Sequence, residues 1–376
     1  MTDQLYFIGE SADFLETIIE NYHPRTIFLV RGGLSYEKSG AKGVLDPFFQ
    51  KHHIRLVEFA DFSVNPKWED VARGLSVLKK ERADIILAVG GGSVLDVAKL
   101  IRFFYAFGMS IEQTNRKQVN ELIPLVAMPT TAGSGSEATH FAVLYKENQK
   151  YSVAHPVIRP DIAIIDPSYT YGLSPYLTAC TGFDALAQAI EAYWNVNATE
   201  ESDSYAAYAI PILSANLPLL LETEDAALRQ KIAKASYFAG RAINITKTTA
   251  PHAFSYPFTT YYNYPHGHAV ALTFPFFMEY NNMEEEEQLS SRLTFGIYKT
   301  KMDNLLRWLN IPDRSDIKRA MVNYINSLGL SFILPKDFDQ NLILKNVNAE
   351  RLANNPRVMK EEDIEKVIIF LNRGHE

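Results

Sequence analysis

Cysteine is nearly absent from this chain. Cys180 is the single one in 376 residues, so no intramolecular disulfide can form and the composition suits a reducing compartment. Clustered basic charge is missing too. Thirty-seven Lys and Arg against 44 Asp and Glu leave a net charge of −7, with no block of like positive residues. That balance argues against a nucleic-acid partner or an anionic membrane surface. No apolar run approaches the ~20 residues of a membrane-spanning helix; the stretch AVALTFPFFM (269–278) is too short. The opening residues MTDQLYFIGE hold neither a basic n-region nor an apolar h-region, so no leader peptide is expected. The expectation is a cytoplasmic globular protein. With 47% hydrophobic and 22% charged residues, the chain has an ordinary soluble composition, and its length suggests two domains.

The first half alternates strand-like and helix-like segments. RTIFLV (25–30), ADIILAVG (83–90), LIPLVAMP (122–129) and RPDIAIIDP (159–167) read as strands. Between them SVLDVAKLIRFFYAF shows helical spacing of apolar residues, with Ser93 as its expected N-cap. Alternation of this kind with apolar strands predicts a parallel sheet flanked by helices. Beyond residue 175 strand-like runs become scarce and helical patterns dominate. Leu173-Ser174-Pro175 supplies a turn and a helix start, so the predicted domains are an α/β unit over 1–174 and an all-helical unit over 175–376.

Two loops in the first unit have the chemistry of phosphate binding. VGGGSVLDVAK (89–99) puts glycines between a strand and a helix, where the backbone can approach a pyrophosphate and N–H groups of the first helical turn stay open. It lacks the spacing of the GxGxxG fingerprint. PTTAGSGSE (129–137) also follows a strand and offers hydroxyls at Thr130, Thr131, Ser134 and Ser136. In open α/β sheets ligands bind outside the carboxyl ends of the strands, so two such loops point to a nucleotide.

In the second unit GFDALAQAIEAY (182–193) places Asp184 and Gln188 on one face of an otherwise apolar helix. A carboxylate there needs a partner, a hydrogen bond or a metal. APHAFSYPFTTYYNYPHGHAVALTFP (250–275) carries His252, His266 and His268 among aromatic residues. Histidine nitrogens with one carboxylate make a metal site that keeps a position open for substrate. The alternative is a set of buried polar groups satisfied by the backbone.

The ordered series GGGSVLDVAK, PTTAGSGSE, PDIAIIDP, TGFDALAQAIEAY and PHGHAVAL resembles the iron-dependent (group III) alcohol dehydrogenases. The resemblance runs from about residue 25 to 280, with an echo in ERLANNPRVMKEEDIEKVI. It implies the dehydroquinate synthase-like fold: a dinucleotide-binding α/β domain, a helical metal domain and a catalytic cleft between them. It also implies NADH or NADPH, one divalent metal (Fe²⁺ or Zn²⁺), an aldehyde or alcohol substrate, and a homodimer or larger homo-oligomer. By position, Gly91, Gly92, Ser93 and Asp96 would line pyrophosphate and ribose, with Thr130, Thr131 and Ser134 on the rest of the cofactor and Lys150 near the nicotinamide ribose. Asp184, His252 and His266 match three of the four metal positions.

The chain departs from that pattern in three places. The fourth metal position is Gln188, a neutral and weaker donor, though related polyol dehydrogenases manage with one Asp and two His. Tyr256 stands where many relatives have a relay histidine; its hydroxyl would pass a proton, or its ring would form an aromatic wall. Arg31 and Gly32 stand where NAD-preferring relatives have an aspartate, which favours tolerance of NADPH. Within the family, TTAPHAFSYP, PHGHAVAL and VNAERLANNPR look like phosphonoacetaldehyde reductases. Lys247, Thr248, Thr249 and His268 would then face the phosphonate, His268 also serving as a catalytic or second-layer group. The competing readings are a general short-chain aldehyde or polyol dehydrogenase, a dehydroquinate synthase-like lyase, and a degenerate metal-free binding protein.

Overall fold

A computed structural model divides the chain into two compact units, Met1–Leu173 and Ser174–Glu376. The structure describes residues 4–109, 122–147, 149–223, 225–282 and 286–373, without the side chains of Gln149, Lys150 and Glu287.

The first unit is built on a parallel sheet. Its strands are β1 (Leu5–Ile8), β2 (Thr26–Arg31), β3 (Arg55–Phe59), β4 (Ile85–Gly90), β5 (Leu125–Pro129) and, after an antiparallel hairpin of β6 (Phe141–Lys146) and β7 (Gln149–Ala154), β8 (Ile162–Ile165). The sheet order is β1-β8-β5-β4-β2-β3. Helices α1 (Leu15–Tyr22), α2 (Ser35–Lys38), α3 (Ala41–Lys51), α4 (Trp68–Glu81) and α5 (Gly92–Phe107) complete it. Period-two alternation divides each central strand between two cores. Phe28, Val30, Ile86, Ala88, Leu125 and Ala127 join residues of α4 and α5. Ile27, Leu29, Ile85, Leu87, Val126 and Met128 join α1 and α3 on the other face. Such strands, buried on both sides, read as unbroken apolar runs, and four of them were legible as such. The edge strands β1 and β3 were not, because LYFI is short and half exposed and RLVEF is broken by charge.

The second unit contains α6 (Pro175–Trp194), α7 (Glu200–Thr223), α8 (Ala226–Thr246), α9 (Ala250–Tyr262), α10 (His266–Ala271) and α11 (Phe274–Asn281). Then follow α12 (Phe295–Trp308), α13 (Ile317–Ser327), α14 (Gln340–Lys345), α15 (Ala349–Leu352) and α16 (Glu361–Asn372). Among the described residues it holds no strand beyond one isolated bridge, Leu289 to Arg357. Ser174 caps α6 by accepting from the Leu177 N–H, with Pro175 at the first helical position. One expectation changes here. Helix α7 is long and apolar enough to cross a membrane by length and composition. Serines and alanines dilute its apolar residues, so no continuous run marked it. Its buried residues, among them Leu213 and Leu217, lie in a helix that packs against α6 and α8.

The sheet reverses its winding between β2 and β4, since β3 extends it one way and β5, β8 and β1 the other. A crevice outside the carboxyl ends of strands forms at such a switch point, and the glycine turn after β4 opens onto it. Helix α5 begins at Gly92 with Gly91 as N-cap, not with Ser93, which lies inside the first turn. A glycine cap brings no side chain to occupy the first N–H groups. The second glycine loop lies against the first: a Cβ on Gly92 would meet Ser134 Oγ at 2.9 Å, and Thr130 N–H donates to Gly90 O at 3.0 Å.

Asp96 and Lys99, both on α5, brace that second loop. Asp96 Oδ1 accepts from the Ser136 hydroxyl at 2.6 Å and Oδ2 from Val143 N–H at 2.9 Å. Lys99 Nζ, fully buried, donates to Ser136 Oγ, Thr139 Oγ1 and Phe141 O, each at 2.9 Å. Asp96 was expected on the cofactor; in the structure its carboxylate holds the second loop. Burial pushes the Lys99 ammonium down to about 8. Burial likewise pushes the neighbouring Glu137 carboxyl up to about 7, its own backbone N–H and the Lys99 charge pulling back.

Glu137 therefore keeps its proton in the folded chain between its ordinary 4.5 and about 7, where the unfolded chain has released it. The stabilisation is whole below pH 4.5 and is lost as pH rises through 7. Denaturant midpoints of the protein and of Glu137→Gln should diverge over this window, wild-type stability falling by up to about 1.4 kcal/mol per pH unit relative to the variant. Parallel profiles would contradict the assignment.

Candidate metal and cofactor sites

Asp184, Gln188 and Glu191 recur at i, i+4 and i+7 along α6, which sets all three on one face. They are 5%, 3% and 0% exposed. Ionised carboxylates so deeply buried are tolerated only with positive charge or several donors beside them. Helix α9 supplies His252 and the start of α10 supplies His266. His252 Nε2 lies 3.2 Å from Asp184 Oδ1 and His266 Nε2 3.9 Å from the same oxygen. One atom from each residue falls within 4.8 Å of the others. Two atoms bound to a tetrahedral cation at about 2.1 Å stand about 3.4 Å apart, so the donor set fits a divalent ion with room for further ligands.

The electrostatics agree. Burial by itself would lower the His252 pKa, but the Glu191 carboxylate and Asp184 outweigh it and push it up to about 10. Asp184 is held below the usual carboxylate range: burial opposes this, and the charges of His266 and His252 prevail. Gln188 hydrogen-bonds Asp184. The amide N–H must be the donor, since an ionised carboxylate has no proton to give. The neutral Gln188 thus supports the aspartate.

Close packing creates this convergence. A Cβ on Gly267 would fall 1.8 Å from the Cys180 carbonyl oxygen and 3.0 Å from Asp184 Cβ. Only glycine lets α10 approach α6 closely enough to bring His266 beside Asp184.

The other expected residues divide. Tyr256 stacks on His266, ring centroids 6.1 Å apart and planes 13° apart, and so borders the cluster. His268 does not. Its Nδ1 meets the Tyr176 hydroxyl at 2.7 Å and its Nε2 the Ser331 carbonyl at 2.6 Å. A carbonyl only accepts, so Nε2 carries the proton and Nδ1 accepts from the tyrosine. Burial lowers the His268 pKa, and both ring nitrogens are engaged by Tyr176 and Ser331. Lys247, expected beside an anionic substrate, is ion-paired with Glu350. Thr249 sends both its N–H, at 2.6 Å, and its hydroxyl, at 2.9 Å, to Glu191 Oε2. Thr248 is buried, and its carbonyl accepts from Asn354.

In the first unit Arg31 ends β2 and pairs with Glu58 of β3, Nε to Oε2 at 2.5 Å. The strand end thus presents a carboxylate as well as a guanidinium. Gly32 follows, its N–H on the Val89 carbonyl. Gly91, Gly92, Thr130, Thr131 and Ser134 gather where the two glycine loops meet: a Cβ on Gly91 would reach Thr131 Cγ2 at 3.6 Å. Lys150 belongs to β7, but its side chain lies outside the described residues.

Two residues escaped the sequence reading. Glu191 was not singled out, although its i+7 spacing from Asp184 was a usable signal. Arg351, on α15, is 6% exposed and brings Nε within 3.5 Å of Tyr256 Oη. Nothing local in sequence links positions 95 residues apart.

Comparison with known proteins follows the same division. Residues 3–167 match iron-containing alcohol dehydrogenase, and residues 178–369 match the C-terminal domain of the Fe-containing alcohol dehydrogenase family. A probable alcohol dehydrogenase of Escherichia coli (strain K12) is 37% identical over 59% of this chain. The match spans 57% of that relative's length. The phosphonoacetaldehyde reductase of Streptomyces viridochromogenes is 30% identical over 80% of this chain and 79% of its own. A crystal structure of sulfoacetaldehyde reductase from Bifidobacterium kashiwanohense in complex with NAD⁺ superimposes with a TM-score of 0.83. It is 25% identical and the match covers 99% of this chain and 97% of that one.

Gly267→Ala should force α10 off α6, costing on the order of 1–3 kcal/mol. Elemental analysis should then find the purified variant depleted of metal relative to wild type. Full metal content in a folded variant would show that His266 is not held by this contact.

Proposed function

The chain belongs to the iron-containing alcohol dehydrogenase family, and on that premise we propose that it reduces a small aldehyde with a nicotinamide cofactor, reversibly. The observation that carries this reading is the convergence of the buried Asp184 and His252 with the partly exposed His266 on one point. A divalent cation bound there, Fe²⁺ or Zn²⁺, supplies a Lewis acid for the carbonyl oxygen, and NADH or NADPH supplies the hydride. Asp184 and the two histidines would hold the cation, with Gln188 steadying the aspartate. The Gly91-Gly92 turn and the open N–H groups of α5 would take the pyrophosphate, and Thr130, Thr131 and Ser134 would add hydroxyl contacts. Tyr256 Oη, beside His266 and within 3.5 Å of a guanidinium, is the group suited to hold and deliver the proton that the alcohol gains.

The preferred substrate is an aldehyde bearing an anionic headgroup, phosphonoacetaldehyde being the leading candidate. Two similar proteins act on aldehydes with a phosphonate or a sulfonate. Lys247 is committed to Glu350, but Arg351 is a buried cation next to Tyr256, and guanidinium geometry suits phosphonate oxygens. A general short-chain aldehyde dehydrogenase is the competing reading within the family.

Steady-state kinetics separate the two. Phosphonoacetaldehyde should be reduced with a kcat/KM at least tenfold above that of uncharged aldehydes of its size. Arg351→Met should erase the difference mainly through KM. Equal use of charged and uncharged aldehydes by the wild type would remove the anionic reading.

Cofactor choice has its own test. Both nicotinamide cofactors should support turnover, because Arg31 is neutralised by Glu58. Glu58→Gln should raise the NADPH-to-NADH ratio of kcat/KM by about tenfold, the equivalent of 1.4 kcal/mol. An unchanged ratio would place the ribose 2′ position elsewhere.

A further inference from the structure

His252 has a carboxylate at each ring nitrogen. Nε2 faces Asp184 within the ligand cluster, and Nδ1 is bonded to Glu191 Oε1 on the opposite side of the ring. Glu191 is wholly buried, and its second oxygen accepts from both the N–H and the hydroxyl of Thr249. Trp194 Nε1–H in turn donates to Thr249 Oγ1 at 3.0 Å. Thr249 is the N-cap of α9, the helix that carries His252. Glu191 therefore grips both the imidazole and the start of its helix.

We infer that Glu191 is the positioning residue of the metal centre, holding the Nδ1 proton of His252 so that Nε2, on the side of Asp184 and His266, is the nitrogen that gives its lone pair to a cation. The inference rests on the metal site proposed above. A carboxylate behind an imidazole fixes its tautomer and orientation and makes the other nitrogen more basic; losing such a partner costs 10- to 100-fold in metal affinity. A carboxylate that merely capped α9 would have no need of His252: the bond to Thr249 N–H meets that requirement alone. Here one oxygen serves the helix and the other serves the ring.

Cobalt(II) titration of the metal-stripped full chain tests this, read by the visible spectrum and by the hyperfine-shifted N–H signals of the bound histidines. The wild type should bind one equivalent, and Asp184→Ala should bind none. Glu191→Gln keeps an oxygen acceptor for Thr249, and its metal-free thermal midpoint, lowered by loss of the ion pair with His252, is measured alongside to confirm that it folds. It should nevertheless bind cobalt about 10- to 100-fold more weakly, with faster solvent exchange of one histidine N–H signal. Thr249→Val, which loosens Glu191 without removing it, should show the same changes on a smaller scale. It also serves if Glu191→Gln does not fold. Wild-type affinity and exchange in the folded variants would overturn the role of Glu191 while leaving the metal site intact. A wild-type chain that binds no cobalt would overturn both.

Discussion

Two carboxylates, Asp184 and Glu191, are buried on one face of α6, and the helical unit is arranged around the need to compensate them. Glu191 is wholly buried and Asp184 nearly so, and an unpaired ionised carboxylate in such surroundings would cost several kcal/mol. The compensation comes from α9 and α10. His252 sits between the two acids, His266 approaches the outer one, and the N-terminus of α9 with Thr249 satisfies the inner one. The convergence of donors is thus the solution to an electrostatic problem that α6 poses.

Small residues make the solution sterically possible. At Gly267 a backbone carbonyl of α6 occupies the space a Cβ would need, so the approach of α10 and the identity of that residue are one constraint. In the first unit the same logic operates at the two glycine loops. Gly92 lets the turn after β4 lie against Ser134, while Asp96 and Lys99 tie the second loop to α5. Residues with chemically suggestive charges are used here as braces, which keeps the open N–H groups of α5 in a fixed setting.

Much of this was legible in the chain before its structure was considered. The central strands announced themselves because burial on both faces demands continuous apolar runs, and Ser174-Pro175 marked the start of α6 by local capping chemistry alone. Asp184, His252 and His266 stood out because a carboxylate and imidazoles are costly among apolar neighbours without a joint purpose. The reading failed where a residue's partner lies far along the chain. His268 looked like a third functional imidazole, yet Tyr176 and Ser331 absorb both nitrogens. Lys247 looked like an anion ligand, yet Glu350, 103 residues on, takes its charge. Arg31 looked free to receive a phosphate, yet Glu58 on the adjacent strand meets it.

By itself, then, the order of residues determined the element types, the position of each glycine turn at a strand end, and the facing of Asp184, Gln188 and Glu191 along one helix. These follow from local periodicity and backbone sterics. Only the tertiary structure decided which polar groups remain available for chemistry. Two like residues, His252 and His268, receive opposite roles because α9 carries one ring between two carboxylates, whereas α10 carries the other against a tyrosine and a backbone carbonyl. A side chain's hydrogen-bonding capacity is finite, and the packing of distant helices settles where it is spent.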